Sequence, residues 1–324
     1  MRQGVLMTDS TATITYSQPE SSRPSVVSPK RTRIRIEVPA TSANLGVGFD
    51  VMGLALDLVA SFTFQESDEL RVGGCLERFC NDQNLAWESY RQACAMLDVD
   101  ARTLAIDIES PLPLSGGLGS SSTCVVAGVV AAQLLSGRPF DRALTLDMAT
   151  TIEGHPDNVA PAVYGGLTSS FVEAGTTCAA VMPVGENLRF VAMAPPYEVH
   201  TDEARRALPS EVALQTAVWQ MGRCVAVADA LERGDAALLA KACHDKLHEP
   251  HRRLLIPDYD LLRTKALQAG ACAFVISGSG STMLAVADGD DVAKGIEKAV
   301  EGTVAGLWVK RLRANTTGTV VTVS

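Results

Sequence analysis

An α+β fold in two closely packed domains is what this 324-residue chain predicts, and three observations carry that expectation. The length exceeds one simple domain and falls short of three. Apolar residues make up 47% and charged residues 20%, the balance of a globular protein with a sizeable core. Strands and helices are interspersed, but a long helical stretch over residues 212–247 breaks any regular βαβ rhythm, which favours α+β over a doubly wound parallel sheet.

Residues 1–32 are rich in Ser, Thr and Pro and run into the basic Lys30, Arg31 and Arg33, so a mobile tail is expected. The tail lacks the apolar segment of a secretory signal, while Asp9 and Glu20 count against a transit peptide. From Arg33 to Val38 charged and apolar residues alternate strictly, the period of a half-buried strand. A strand over 58–64, a helix over 85–97 and a strand over 104–108 follow. The chain then enters Pro-Leu-Pro-Leu-Ser-Gly-Gly-Leu-Gly-Ser-Ser-Ser, residues 111–122, which feeds an apolar run over 123–135, the composition of a helix buried all round. A helix over 144–153 is stopped by Gly154 and Pro156, and a strand covers 167–172. Residues 175–185 read as a linker, with the boundary near 183, giving an N-terminal domain over 33–183 and a C-terminal domain over 184–324. The second half adds helices over 212–233, 236–247 and 259–269, and strands over 273–277 and 283–287 around Gly-Ser-Gly-Ser-Thr282.

A net charge of -9 and a pI near 5.1 give no general attraction to nucleic acid or acidic membranes. No stretch reaches the roughly 18 apolar residues of a membrane-spanning helix. The eight cysteines are scattered without a CxxC pair, which fits reduced thiols in the cytoplasm.

Gly116, Gly117 and Gly119 permit backbone geometries closed to other residues, and Ser120, Ser121 and Ser122 fall where the buried helix starts. Free amides and the helix dipole there suit a phosphate, although a turn with an N-cap explains the same residues. The loop is neither a P-loop nor a dinucleotide fingerprint. Glu153, His155, Asp157 and Asn158 crowd four polar side chains into six residues, and a carboxylate there could hold Mg²⁺ beside phosphates. A capped helix end with an Asx turn is the plainer alternative. In the loop 39–50, Asp50 could pair with a substrate ammonium, while Arg205 and Arg252 could grip a carboxylate or simply be solvated charges. His244, His248 and His251 do not read as a metal site, because Glu249 is not placed as in HExxH and Pro250 is expected to end the helix before His251.

Taken in order, the loop 39–50, the glycine-serine loop 111–122, Glu153–Asn158 with its Val-Ala-Pro-Ala continuation, and the late turn 277–282 resemble the homoserine kinases, within the GHMP family of small-molecule kinases. That resemblance implies an N-terminal domain similar to ribosomal protein S5 domain 2 and a ferredoxin-like C-terminal domain, with ATP and Mg²⁺ bound between them. It implies that Pro113, Leu114, Ser115, Gly116, Gly117, Leu118, Gly119, Ser120, Ser121 and Ser122 wrap the ATP phosphates, that Asn84 lies near the base, and that Glu153 and Ser120 hold Mg²⁺. Asn44, Asp50, His155, Asp157, Asn158, Thr201, Arg205 and Arg252 would surround L-homoserine. Asp157, Asn158 and Glu153 would carry catalysis, with Asp157 positioning the hydroxyl or accepting its proton. A homodimer is also implied. The chain departs from the usual pattern at Leu114-Ser-Gly-Gly-Leu118, at Val47 and at Ser281, and Asp147 offers a second carboxylate. Two rivals stand beside this reading: a kinase of the same fold for L-threonine or another hydroxylated amino acid, and a catalytically silent relative that binds a ligand or partner.

Overall fold

The alternation from Arg33 to Val38 builds the first sheet. In a computed structural model that describes residues 32–113 and 116–324, strand β1 (Arg33–Ala43) buries Ile34, Ile36 and Val38 and pairs antiparallel with β2 (Met52–Glu66). Residues 1–31 of the expected tail, and Leu114 and Ser115 of the glycine-serine loop, lie outside the described residues. Both strands run beyond their predicted ends, and a register shift between Pro39 and Thr41 bends β1 where its loop begins. Strands β3 (Arg71–Gly73), β4 (Leu104–Glu109), β5 (Leu167–Glu173), β6 (Thr176–Met182) and β11 (Val320–Val323) complete a seven-stranded sheet, with path β11-β1-β2-β4-β3 and β5 and β6 attached beside β2.

Helices α1 (Leu85–Met96), α2 (Ser120–Leu135), α3 (Arg142–Glu153) and α4 (Val159–Tyr164) cover this sheet. Val125 through Ala132 of α2 are all buried, since the helix packs on α1, α3, α4 and the sheet at once. An element apolar on every side has to be central, and α2 therefore holds the glycine-serine loop on the most constrained helix of the domain.

The stretch read as a linker is a correction. Most of residues 175–185 is strand β6, zipped along the whole length of β5; its Thr, Cys and Ala residues are half exposed and carry no clear alternation. The first sheet's run of strands thus reaches Met182 and is rejoined only by β11, while the second sheet begins at β7 (Leu188–Ala194). That second sheet adds β8 (Ala273–Ile276), β9 (Met283–Asp288) and β10 (Trp308–Leu312) in the order β10-β7-β9-β8, all antiparallel, with α9 (Tyr259–Gln268) and α10 (Asp290–Val300) packed on it. Read along the chain this is the βαββαβ order of a ferredoxin-like domain. Inserted between β7 and α9 are α5 (Thr201–Arg206), α6 (Leu214–Arg233), α7 (Ala236–Ala242) and α8 (Glu249–Arg252).

Helix α7 stops five residues earlier than the pattern suggests. The Asp245 carboxylate accepts the N–H groups of Leu247, His248 and Glu249 at 3.1, 2.7 and 2.7 Å and so opens a new turn, α8, instead of prolonging α7. Pro250 sits in the first turn of α8, where its missing N–H removes no helical bond. It begins a helix rather than ending one. Among the described residues, no helix is long and apolar enough to cross a membrane.

Candidate active site

The loop after β1, the start of α2, the Glu153–Asn158 segment, the start of α5 and the late turn enclose a polar cleft of about 220 Å³. Its walls are tied together mainly by side-chain hydrogen bonds. Asn44 adopts a left-handed backbone at φ 72°, tolerable for Asn, and is itself buried. Its Nδ2 donates to the Gly278 carbonyl at 2.7 Å, while its Oδ1 accepts the Asp50 N–H at 3.0 Å. One side chain thus ties the first loop to the late turn. Across the cleft, Arg205 donates to both carboxylate oxygens of Asp50, at 3.0 and 3.3 Å. The pair is about 40% exposed on both sides, so its value lies in orientation more than in stability.

The glycine-serine loop is sewn to the late turn. Thr282 donates its N–H to Gly116 O at 2.8 Å, and Ser277 Oγ donates to Gly117 O at 2.6 Å. At Gly117, φ is +81° and a Cβ would stand 2.2 Å from Ser277 O, so only glycine fits. Helix α2 begins directly after Gly119, presenting its first amides to the cleft. Ser121 and Ser122 donate from the first turn of α2 to the two oxygens of Glu153, both at 3.0 Å, which docks the end of α3 against the start of α2. A carboxylate flanked by two hydroxyls at a helix N-terminus could supply one ligand to a hard divalent cation. Asp147 is not so placed, since its Oδ1 accepts the Thr177 N–H at 2.6 Å and anchors β6 to α3.

His155 Nδ1 lies 2.6 Å from Asp157 Oδ1, and the carboxylate is almost entirely buried. That hydrogen bond raises the His155 pKa, outweighing the opposite pull of burial. Thr41 Oγ1 donates to Asn158 Oδ1 at 2.8 Å, fixing the amide beside it. Arg252 is 2% exposed; its Nη1 donates to Gly278 O at 2.9 Å, and its guanidinium lies 5.0 Å from the Phe49 ring centroid. Burial pulls its pKa down.

Asn44, Asp50, Gly117, Gly119, Ser120, Ser121, Ser122, Glu153, His155, Asp157, Asn158, Thr201, Arg205 and Arg252 therefore converge on one cleft. Others stand apart. Asn84 caps α1, its Oδ1 accepting the Ala86 N–H at 3.0 Å and its Nδ2 donating to Phe79 O at 3.0 Å. Leu118 is buried, its carbonyl taking the Thr41 N–H at 3.1 Å, and neither Pro113 nor Gly116 lines the cleft. Val199, His200, Gly278 and Ser279 line it and were not among the expected residues. The late turn holding Gly278 and Ser279 was legible as a motif, whereas His200 carried no local pattern beyond its place before Thr201.

A model of the GHMP kinases N terminal domain matches residues 84–166, and a model of the GHMP kinases C terminal matches residues 227–304. Over 260 residues the chain is 38% identical to the homoserine kinase of Clostridium beijerinckii, covering 80% of this chain and 87% of that protein. The chain belongs to the homoserine kinases of the GHMP family. The homoserine kinase of Clostridium botulinum (strain Loch Maree / Type A3) matches at 35% identity across 89% of this chain and 98% of its own. Among solved structures, the homoserine kinase from Cytophaga hutchinsonii superposes with a TM-score of 0.81 at 32% identity, over 90% of this chain and 97% of that one. The L. major mevalonate kinase in complex with R-mevalonate shares the fold at a TM-score of 0.68 and 16% identity, over 87% of this chain and 96% of its own. The cleft is lined from segments that connect strands of both sheets.

Behind the cleft, burial pushes the Glu249 carboxyl from its ordinary value of 4.5 up to about 8; Asp245 adds to the rise, while Arg263, Arg252 and the bond from Ile276 oppose it. The folded protein therefore keeps this proton in a range where the unfolded chain has released it. Since the unfolded state then binds fewer protons, stability falls as pH rises between those two values. Thermal melts from about pH 5 to pH 8 are expected to show a decline in Tm that Glu249→Gln flattens, the difference amounting to a few kcal/mol. Parallel curves for the two proteins would refute the assignment.

Proposed function

We propose that the chain transfers the γ-phosphoryl group of ATP to the side-chain hydroxyl of L-homoserine, giving O-phospho-L-homoserine and ADP. One observation carries the choice of an amino acid: the cleft holds both a carboxylate at Asp50 and two guanidinium groups, Arg205 and Arg252, opposite the first turn of α2. Charges of both signs suit a zwitterion, with Asp50 facing the ammonium and the arginines the carboxylate. The relatives named homoserine kinase support the particular amino acid.

In this reading the α2 amides and Ser120–Ser122 receive the phosphates. Asp157, steadied through Oδ1 by His155, offers its second oxygen to the substrate hydroxyl. The hydroxyl oxygen forms the new bond to phosphorus as the bond to the ADP oxygen breaks, and the hydroxyl proton passes to Asp157 or to the transferred phosphate. Positioning and charge stabilisation dominate such a loose transition state. Glu153, with the Ser120 hydroxyl, would hold Mg²⁺, which supplies charge neutralisation on the phosphates when bound.

The test is ATP- and Mg²⁺-dependent ADP release with L-homoserine, L-threonine, L-serine, mevalonate and galactose at matched concentrations. L-homoserine is expected to exceed the others in kcat/KM by at least about a hundredfold, roughly 2.7 kcal/mol. A win for L-threonine would move the substrate and keep the chemistry; no turnover with any of them would leave a silent relative.

A further inference from the structure

The short helix α8 and its N-cap residue His248 touch both loops that carry the amino-acid half of the cleft, through two buried polar side chains, His248 and Glu249, that line no part of it. His248 is fully buried, and its Nε2 donates to the carbonyl of Gly46, in the middle of the first loop, at 2.7 Å. Its ring stacks on Phe49 with centroids 5.3 Å apart, and among the described residues its Nδ1 has no hydrogen-bond partner. Glu249 Oε1 accepts the N–H of Ile276 at 2.7 Å. Ile276 is the last residue of β8, two positions before Gly278, whose carbonyl receives both Asn44 Nδ2 and Arg252 Nη1.

Burying a carboxyl and an imidazole is costly, and apolar residues of similar size would fill the same space more cheaply. What the polar pair adds is a fixed point on each loop. Gln220 of α6 reinforces the first of these, donating from Nε2 to Val47 O at 2.9 Å and to Asp245 Oδ1 at 2.5 Å, while Asp245 holds the α8 amides. The whole assembly reads as a strut between the first loop and the late turn.

We infer that His248 and Glu249 are positioning residues for the amino-acid substrate, holding the Gly46 carbonyl and the Ile276 amide so that Asn44, Asp50 and Arg252 meet around one ligand. The inference rests on the reading of that half of the cleft as an amino-acid site. Neither residue touches the phosphate side, so their loss should weaken one substrate and spare the other.

The experiment titrates L-homoserine and, separately, a non-hydrolysable ATP analogue into wild type and into Glu249→Met, Glu249→Gln, His248→Asn and His248→Gln, alongside steady-state kinetics. A Gln amide falls where Nε2 of His lies and an Asn amide where Nδ1 lies, so His248→Gln can keep the bond to Gly46 and His248→Asn cannot. Glu249→Met and His248→Asn are expected to raise Kd and KM for L-homoserine at least about tenfold and to leave those for nucleotide within about twofold, whereas both Gln variants restore binding. Equal weakening of both ligands, unchanged homoserine binding, or Gln variants no better than their partners would overturn the proposal. Should Glu249→Met fail to fold, the two His248 variants decide alone. Failure of the substrate reading is seen in the wild type: if it binds another amino acid instead, the same comparison is made with that ligand, and if it binds none, both readings fall.

Discussion

Asp157→Asn is expected to lower kcat by at least about a hundredfold while KM for ATP stays within about threefold, the pattern of an interaction made chiefly in the transition state. The carboxylate is buried and has one oxygen committed to His155 at 2.6 Å. Asn preserves the volume and can still meet the imidazole, but it replaces the carboxylate whose hydrogen bond, and then charge, raise the His155 pKa, and it offers no base to the hydroxyl. The substitution therefore separates shape from charge. Steady-state kinetics with saturating L-homoserine measures it, and wild-type turnover would remove Asp157 from the mechanism. His155 then gives an independent check, because its titration, followed by NMR, should move downward in the variant once its partner is neutral.

Gly117→Ala is expected to weaken ATP binding at least about tenfold and to destabilise the protein by about 2–4 kcal/mol. Left-handed backbone at this φ costs a non-glycine residue about 1–2 kcal/mol, and the added carbon would press on a carbonyl of the late turn that cannot swing aside. Relief requires the glycine-serine loop and the late turn to part, which spoils the hydrogen bonds between them. Gly137→Ala supplies the contrast, since its φ is also +81° but nothing lies within 4 Å of the new carbon. That variant should lose only about 1 kcal/mol and bind ATP normally. Similar losses in both proteins, measured by chemical denaturation and nucleotide titration, would show that backbone strain alone explains the effect and that the contact with Ser277 is irrelevant.

Strongly periodic or uniformly apolar segments were legible from the residues themselves. Alternation located the start of β1, and the apolar run found α2 and its central place, because burial imposes those patterns directly. Strand β6 escaped because Thr, Ala and Cys on a half-exposed hairpin need no alternation, and β11 because a short edge strand is defined by its partner. Helix α10 was a different omission. Ala293, Ile296 and Val300 recur at helical spacing and mark its buried face, so the signal was present and unread. The end of α7 depended on Asp245 capturing three amides, a choice between two local hydrogen-bonding solutions that periodicity does not encode. At the site, local motifs pointed to the glycine-serine loop and to Glu153–Asn158. The meeting of Asp50 with Arg205 spans the two halves of the chain and belongs to the tertiary fold. The carboxyl and imidazole of α8 were weighed only as metal ligands, since their actual partners are backbone groups of distant loops.

The pairing of β11 with the outer side of β1 has a bearing on how this protein is made. The two strands lie far apart in sequence, Arg33–Ala43 against Val320–Val323, so β1 once made waits with one side uncovered until nearly all of the intervening chain has been synthesised. Such an open side is a template for adhesion to other chains. A polypeptide released before Val320 would carry a complete second sheet, its last strand already laid down, beside a first sheet still able to recruit strangers. Synthesis through β11 is what closes that side of the first sheet.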